Sequence, residues 1–527
     1  MPRTGQNLYR CLMVSTRMTK QALKDSPLSK LSAPEKNLRP APGAGRRIGV
    51  IDTGSNSVRL VVYDGLRRTP IPLFNEKIFC GLGKTVSETG LIQGEAAQSV
   101  RDTLRRFAAL LRAMRVERIE AVTTAASREA KNGKEFFSAL SREIGIDIRI
   151  ISGAEEARLS ALGVLAGNPR ATGLAGDLGG SSIELINVNG GAPGRAATLP
   201  MGALKVKKAT PEQLERRIDG LLSDQGWIRE FLGQTFYAVG GSWRALARAH
   251  MEAINHPVHV IHEYEIPAEE ALRFTAEIAR MPQAALDLIP GLSKRRAETA
   301  APAAAILNRI LHQTGVRRVV FSAYGLREGL LFDHLPKDVQ ARDPLLAACE
   351  EKAARLGRFP DHADEITRWT SSLFKDETES ARRLRHCASL LSDIGWRVHP
   401  DYRASHCMME VLNAQFVGIT HVGRICLALA VYFRYRADPV EGEVLRMMAF
   451  NPEAAEKARI LGLALRLGHT ISGGTGGIIG ECSLQVHPGE LCLHMPVRYQ
   501  DLAGEAPVKR LRQLGQALGL KTRLVID

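Results

Sequence analysis

Two aspartates stand in matching surroundings. Asp52 closes the apolar run that begins at Ile48 and is followed by Thr53, Gly54, Ser55, Asn56 and Ser57 before a second apolar run, Val58 to Tyr63. Asp177 closes the run from Leu174 and is followed by Leu178, Gly179, Gly180, Ser181 and Ser182, then by Ile183 to Ile186 with Glu184 inside it. Glycine lets the backbone bend and approach a ligand closely. Hydroxyl and amide side chains beside backbone N–H groups make a nest for anionic oxygens. Either turn alone also fits an ordinary hairpin, because Gly, Ser and Asn are hairpin residues. Two copies imply a duplicated unit with a cleft between its halves. The aspartates would face each other there, and one polyphosphate-like ligand would be held by both turns, with a metal between carboxylates and phosphate oxygens.

Other residues suit the same ligand. Arg128, in the small-residue stretch Thr124 to Asn132, could clamp a phosphate bidentately. It also fits a surface helix. Glu155 and Glu156 open a helix after the strand Ile148 to Ser152. Acids there usually cap the helix, which suits Glu155. Glu156 is the candidate base that orients and deprotonates water beside a bound phosphate. Gly240, Gly241 and Ser242 join a strand to a helix start, an anion-binding geometry. Trp243 reads as core, and Arg327 and Glu328 read as a structural pair.

The elements that must position these residues are strands Ile48–Thr53, Val58–Tyr63, Ile119–Thr123, Ile148–Ser152 and the two runs around Asp177, with an amphipathic helix from Ala96 to Met114. From Lys337 onward helical patterns dominate until a candidate hairpin, Ser483–Val486 and Leu491–His494, around His487-Pro488-Gly489. At 527 residues the chain has room for several domains, and no apolar run approaches the ~20 residues of a membrane span. The eight cysteines form no CxxC, which points to reduced thiols in a cytoplasm. The net charge of +15 is uneven: residues 1–47 hold ten Lys and Arg against Asp25 and Glu35, which is +8. That stretch ends in a Pro- and Gly-rich linker and reads as a disordered tail, with an electrostatic arm for a polyanion as the functional alternative. No recognised nucleic-acid motif accompanies the charge.

Taken in order, the Asp52 turn, Thr124 to Asn132, Ser152 to Arg158, Asp177 to Glu184 and Tyr324 to Leu330 resemble the exopolyphosphatase and guanosine pentaphosphate phosphohydrolase family over about Ile48 to Leu335. The resemblance implies an α/β, actin-like (ribonuclease H-like) fold of the actin/hexokinase/Hsp70 superfamily, duplicated around a cleft. It implies domains at 48–170 and 171–336. On it, Glu156 takes the place of the catalytic base. Asp177 and Glu184 take the places of carboxylates serving the cation and the water, with Asp52 as a further metal-site residue. Ser55, Asn56, Arg128, Gly179, Gly180 and Ser181 fall on phosphate-contacting positions, with Gly240, Gly241 and Ser242 as a third phosphate turn. The cofactor would be Mg²⁺ or another divalent cation, with K⁺ as a further candidate. Two departures stand out: Thr53 replaces an aliphatic residue, and Ser181 replaces a glycine.

Residues 337–527 resemble the extension of the long family members, related to HD-type phosphohydrolases. HD chemistry would need a His-Asp pair plus further ligands. Here Ser392 precedes Asp393 where a histidine would be required, so no second catalytic centre is expected. The extension is expected to supply a homodimer contact and walls for a long anionic chain. The function expected is release of orthophosphate from the end of inorganic polyphosphate. Guanosine pentaphosphate hydrolysis, a sugar- or acetate-type kinase of the same superfamily and a non-enzymatic nucleotide sensor are the alternatives. Neither a membrane nor a specific nucleic acid is expected as a partner.

Overall fold

The β-branched runs around the two aspartates pair with themselves. Strand β1 (Ile48–Thr53) turns through Gly54 to Asn56 into the antiparallel β2 (Ser57–Tyr63), which carries β3 (Pro72–Phe79) on its far edge. On its other side β1 lies parallel to β4 (Arg118–Thr123), which in turn lies parallel to β5 (Ile148–Ile150), giving the order β3-β2-β1-β4-β5. The chain then repeats the plan. Strand β6 (Thr172–Leu178) hairpins into β7 (Ile183–Asn189) and β8 (Ala192–Leu199), and β6 also lies parallel to β9 (Thr235–Val239). Two short strands complete that sheet, β10 (Tyr264–Pro267) and β11 (Arg318–Phe321), in the order β10-β11-β9-β6-β7-β8. This is a computed structural model, and it describes residues 46–205, 211–359, 361–440 and 442–527. All but the last two residues of the basic stretch 1–47 lie outside the described residues.

Both central strands are buried on both faces, so they read as apolar runs without alternation. The helix Gly153–Gly167 has eleven buried residues and packs on the Leu326–Asp333 helix and on β7 and β8. One core therefore mixes Val50 and Val61 of the first sheet with Val188 and Val320 of the second. The same two helices contribute to that core, through Leu159 and Leu165 of one and Leu330 and Leu331 of the other.

The extension is helical from Lys337 to Ser472 and closes with a small sheet. The expected hairpin forms as β12 (Ser483–His487) and β13 (Glu490–Met495). A third strand, β14 (Lys521–Ile526), lies parallel to β13 after the helix Glu505–Leu518. Neither the helix nor that strand was legible in the sequence: the strand alternates partly buried and exposed positions, and Lys521 and Arg523 break its apolar signal. Polar contacts tie the extension to the first sheet. Buried Arg68 donates to the Arg342 carbonyl (2.9 Å) and the Ala166 carbonyl (2.8 Å), and Asp64 accepts from Arg355 at 2.7 Å. Among the described residues no helix is long and apolar enough to cross a membrane, and the seven described cysteines are free.

Candidate active site

The duplicated register sets the chemistry. Asp52 stands opposite Arg59 across β1 and β2, and Asp177 stands opposite Glu184 across β6 and β7. The same position therefore carries a cation in one half and a carboxylate in the other. Asp52 and Asp177 both line one cleft of about 200 Å³. The two hairpin tips touch: Ser181 Oγ donates to Ser55 Oγ at 2.8 Å, with both residues buried. Serine at 181 thus latches the hairpins together.

Around the cleft stand Ser55 and Asn56 of the first turn, Gly179 and Gly180 of the second, and Gly240, Gly241 and Ser242 of the third. Gly240 has φ +109°, and a Cβ there would meet the Leu178 carbonyl at 2.6 Å, so the third turn requires glycine. The helix Gly241–Ala253 then begins at the cleft wall, its N–H ends and dipole suited to an anion. Trp243 is fully buried and donates to the Ala303 carbonyl, as a core residue would.

Among the described residues six cations reach the same cleft: Arg59, Lys77, Arg244, Arg295, Arg296 and Arg327. Two carboxylates among the described residues line it, Asp52 and Asp177. Burial, then the charges of Arg296, Arg59 and Arg244, push the Lys77 ammonium down to about 8. Burial and the neighbouring Arg327 lower Arg244 to about 10. Sequence reasoning passed over these residues because they come from separate elements and no local spacing links them. Arg327 corrects the reading of a merely structural pair. It lies 3.8 Å from both Glu328 and Asp52 and lines the cleft as well.

Glu155 and Glu156 part ways at the helix start. Glu155 turns outward to Arg158, which also binds Asp333. Glu156 is buried and accepts from Arg128 Nη1 at 2.7 Å, while the same nitrogen donates to the Ile151 carbonyl. Arg128 is therefore paired with the candidate base in this state. Glu156, Arg128, Glu184 and Ser181 are not among the residues that line this cleft, and the Arg128 and Glu156 side chains keep 22% and 11% of their surface exposed. Burial pushes Glu156 up to about 7; Arg128 opposes the shift, and Asp177 and Asp52 add to it. Glu184 is 1% exposed, accepts from Ser182 Oγ at 2.7 Å, and is held well above the carboxylate range by burial and by Glu156. Asp177 accepts from Ser160 Oγ at 2.5 Å and is raised by burial. Asp52, Glu156, Asp177 and Glu184 thus bear on one another, with Arg128 opposing the shifts of Glu156 and Glu184 and Arg244 and Arg327 opposing that of Asp177.

Among the described residues no three His, Cys, Asp or Glu side chains converge tightly enough to hold a metal by themselves. Asp52 and Asp177 nevertheless fit a hard divalent ion that takes its other ligands from substrate oxygens and water. Burial makes a bare Asp177 carboxylate costly, and a cation would relieve that cost.

The fold is of the actin-like class, and the matches to known proteins make the chain a phosphoanhydride hydrolase. A family model described as "Ppx/GppA phosphatase family" matches residues 61–338, more than half of the chain, and one described as "Exopolyphosphatase, C-terminal" matches residues 345–525. The chain belongs to the Ppx/GppA phosphatase family. Exopolyphosphatase 1 of Mycobacterium leprae is 27% identical over 307 residues, covering 55% of this chain and 90% of that protein. Exopolyphosphatase 1 of Mycobacterium tuberculosis is 26% identical over 309 residues, covering 55% and 89%. The crystal structure of an exopolyphosphatase from Cytophaga hutchinsonii superposes with a TM-score of 0.50 at 25% identity, covering 54% of this chain and 96% of that one.

Proposed function

We propose that this protein is an exopolyphosphatase that releases orthophosphate from the end of inorganic polyphosphate. The observation that carries the reading is the six-to-two excess of cations over carboxylates in one cleft between three glycine-rich turns. Such crowding is electrostatically costly until a polyanion enters. A chain of phosphates, with charge on every unit, offsets more of it than a single terminal phosphate would.

In this reading the Asp52 and Asp177 turns and the Gly240 turn seat the terminal phosphates. Arg59, Arg244 and Arg327 hold the oxygens that follow. Glu156 accepts the proton of the attacking water, its basicity raised by burial and by the charges of Asp177 and Asp52. Arg128 leaves Glu156 for a phosphate oxygen as substrate arrives, which frees the carboxylate to act. A divalent ion, Mg²⁺ by the chemistry of the donor set, would be held by Asp52 and Asp177 with Glu184 behind, and when bound it offsets charge on the phosphates. Water attacks the terminal phosphorus in line, the anhydride P–O bond breaks, and the shortened chain leaves with the electron pair.

The test is phosphate release in Mg²⁺ buffer from long polyphosphate, guanosine pentaphosphate and ATP, side by side. Polyphosphate is expected to give the highest kcat/KM. A higher value for guanosine pentaphosphate or ATP would replace this reading.

A further inference from the structure

A cavity of about 440 Å³ lies apart from the catalytic cleft and shares no lining residue with it. Three parts of the chain wall it. Asn168, Pro169 and Arg170 come from the crossover between the helix Gly153–Gly167, which carries Glu156, and β6, which carries Asp177. Glu263 comes from the turn that enters β10. Asp343, Arg383 and Gly418 come from the extension.

Glu263 is the member without a counter-charge. Its side chain is 11% exposed, and its φ of +60° is uncommon for a residue with a Cβ. Asn168 Nδ2 donates to both carboxylate oxygens, at 3.2 and 3.4 Å. Asn168 Oδ1 accepts the Arg170 N–H at 3.2 Å, which fixes the amide in that orientation. His262 Nε2 stands 3.9 Å from Glu263, but burial drives that imidazole down to about 3, so it brings no charge. Arg318 donates to Glu265 and Thr235 instead. Burial accordingly pushes the Glu263 carboxyl up to about 7, and Glu265 adds to the shift. A buried carboxylate held by one amide is costly until a cation joins it.

The other charges of the wall are mostly settled. Arg383 binds Asp343 through two nitrogens and the Gly418 carbonyl at 2.8 Å. Arg342 binds Glu350 at 2.6 Å. Arg170 is exposed and has no carboxylate partner among the described residues. No three His, Cys, Asp or Glu side chains among the described residues converge here, so a divalent ion would find too few ligands. A protonated amine needs only one carboxylate: its N–H groups donate to the oxygens and its charge offsets the buried one.

We propose that this cavity binds the protonated amine of a small molecule, with Glu263 as its counter-ion, at the junction of the two halves and the extension. An occupant touches all three parts, so its binding free energy adds to the stability of the folded chain. A carboxylate on the same molecule would meet Arg170, which separates amino acids from plain amines.

The test titrates the full-length protein at one ionic strength, by calorimetry and thermal melts. The probes are 1,4-diaminobutane, an amine alone, and 4-aminobutyrate, an amine with a carboxylate of its own. Tetramethylammonium, which has the charge but no N–H, is the control. At least one amine is expected to bind saturably and raise Tm, and tetramethylammonium to do neither. Glu263→Gln keeps an acceptor for Asn168 and removes the charge. Affinity should then fall about ten-fold or more, while the Tm of the empty protein holds or rises. Arg170→Gln tells the two ligand types apart: weaker binding of 4-aminobutyrate alone assigns an amino acid, and no change assigns a plain amine. Ser380→Trp, at an exposed position of the wall, blocks the cavity without touching Glu263 and serves if Glu263→Gln fails to fold. No saturable binding of either amine, equal binding of tetramethylammonium, or full affinity in Glu263→Gln or in Ser380→Trp overturns the site.

Discussion

At Glu156 two demands meet. A base for water must be ionised in use, yet burial holds this carboxyl at about 7 and Arg128 alone draws it down. Glu156→Gln is expected to cut kcat by ~10²–10⁴ while leaving KM nearly unchanged, since the cationic cleft remains; steady-state kinetics on polyphosphate check it. The ionised form grows as pH rises through 7, so kcat/KM should climb across that range. Arg128→Met removes the group that lowers Glu156, so the same limb should move to higher pH; a limb that stays in place would separate Arg128 from the base. Glu184 is raised further still, with Ser182 as its hydrogen-bond donor. A carboxyl raised on folding contributes stability below its unfolded value and loses it as pH rises. Glu184→Gln should therefore raise Tm in alkaline buffer and leave it little changed in acid, as thermal melts across pH would read.

At the scale of elements, the hairpins were legible and the ring of cations was not. Strand, Asp and small-residue turn are local patterns, and a duplicated local pattern announces a duplicated unit. Asp52, Asp177 and the Gly240 turn were found that way, and they share one cleft. Arg59, Lys77, Arg244, Arg295 and Arg296 lie on strands and helices with nothing in their neighbours to mark them; only the register and the packing bring them together. The loop after β8 likewise carries no local mark of its place. In the structure Gly202 lies under the second turn, donates its N–H to the Ser181 carbonyl, and would place a Cβ 2.3 Å from the backbone of Gly180. Gly202→Ala must push that turn aside. A loss of ~1–3 kcal/mol in denaturant unfolding is expected, with a larger effect on kcat/KM than on the far-UV spectrum.

At the scale of the whole molecule, the mycobacterial relatives match 55% of this chain while being covered over about nine-tenths of their own length. Those relatives are therefore too short to match the whole of this chain. Here the extension is bound firmly: Val258 of the second half sits in its core, and Arg68 and Asp64 of the first half bond to Arg342 and Arg355. Such bonds serve more than folding if the extension handles substrate. Each cut leaves a chain that must advance by one phosphate, and a grip remote from the cleft keeps it from diffusing away between cuts. Residues 46–336 carry every side chain assigned to the cleft. That fragment is expected to hydrolyse tripolyphosphate at a rate close to the full-length protein. On long chains it should release them after few cuts, so that intermediate lengths accumulate on a gel. The full-length protein should instead leave only intact and fully shortened chains. Identical product ladders from the two proteins, at one ionic strength, would place the whole of chain handling in the cleft.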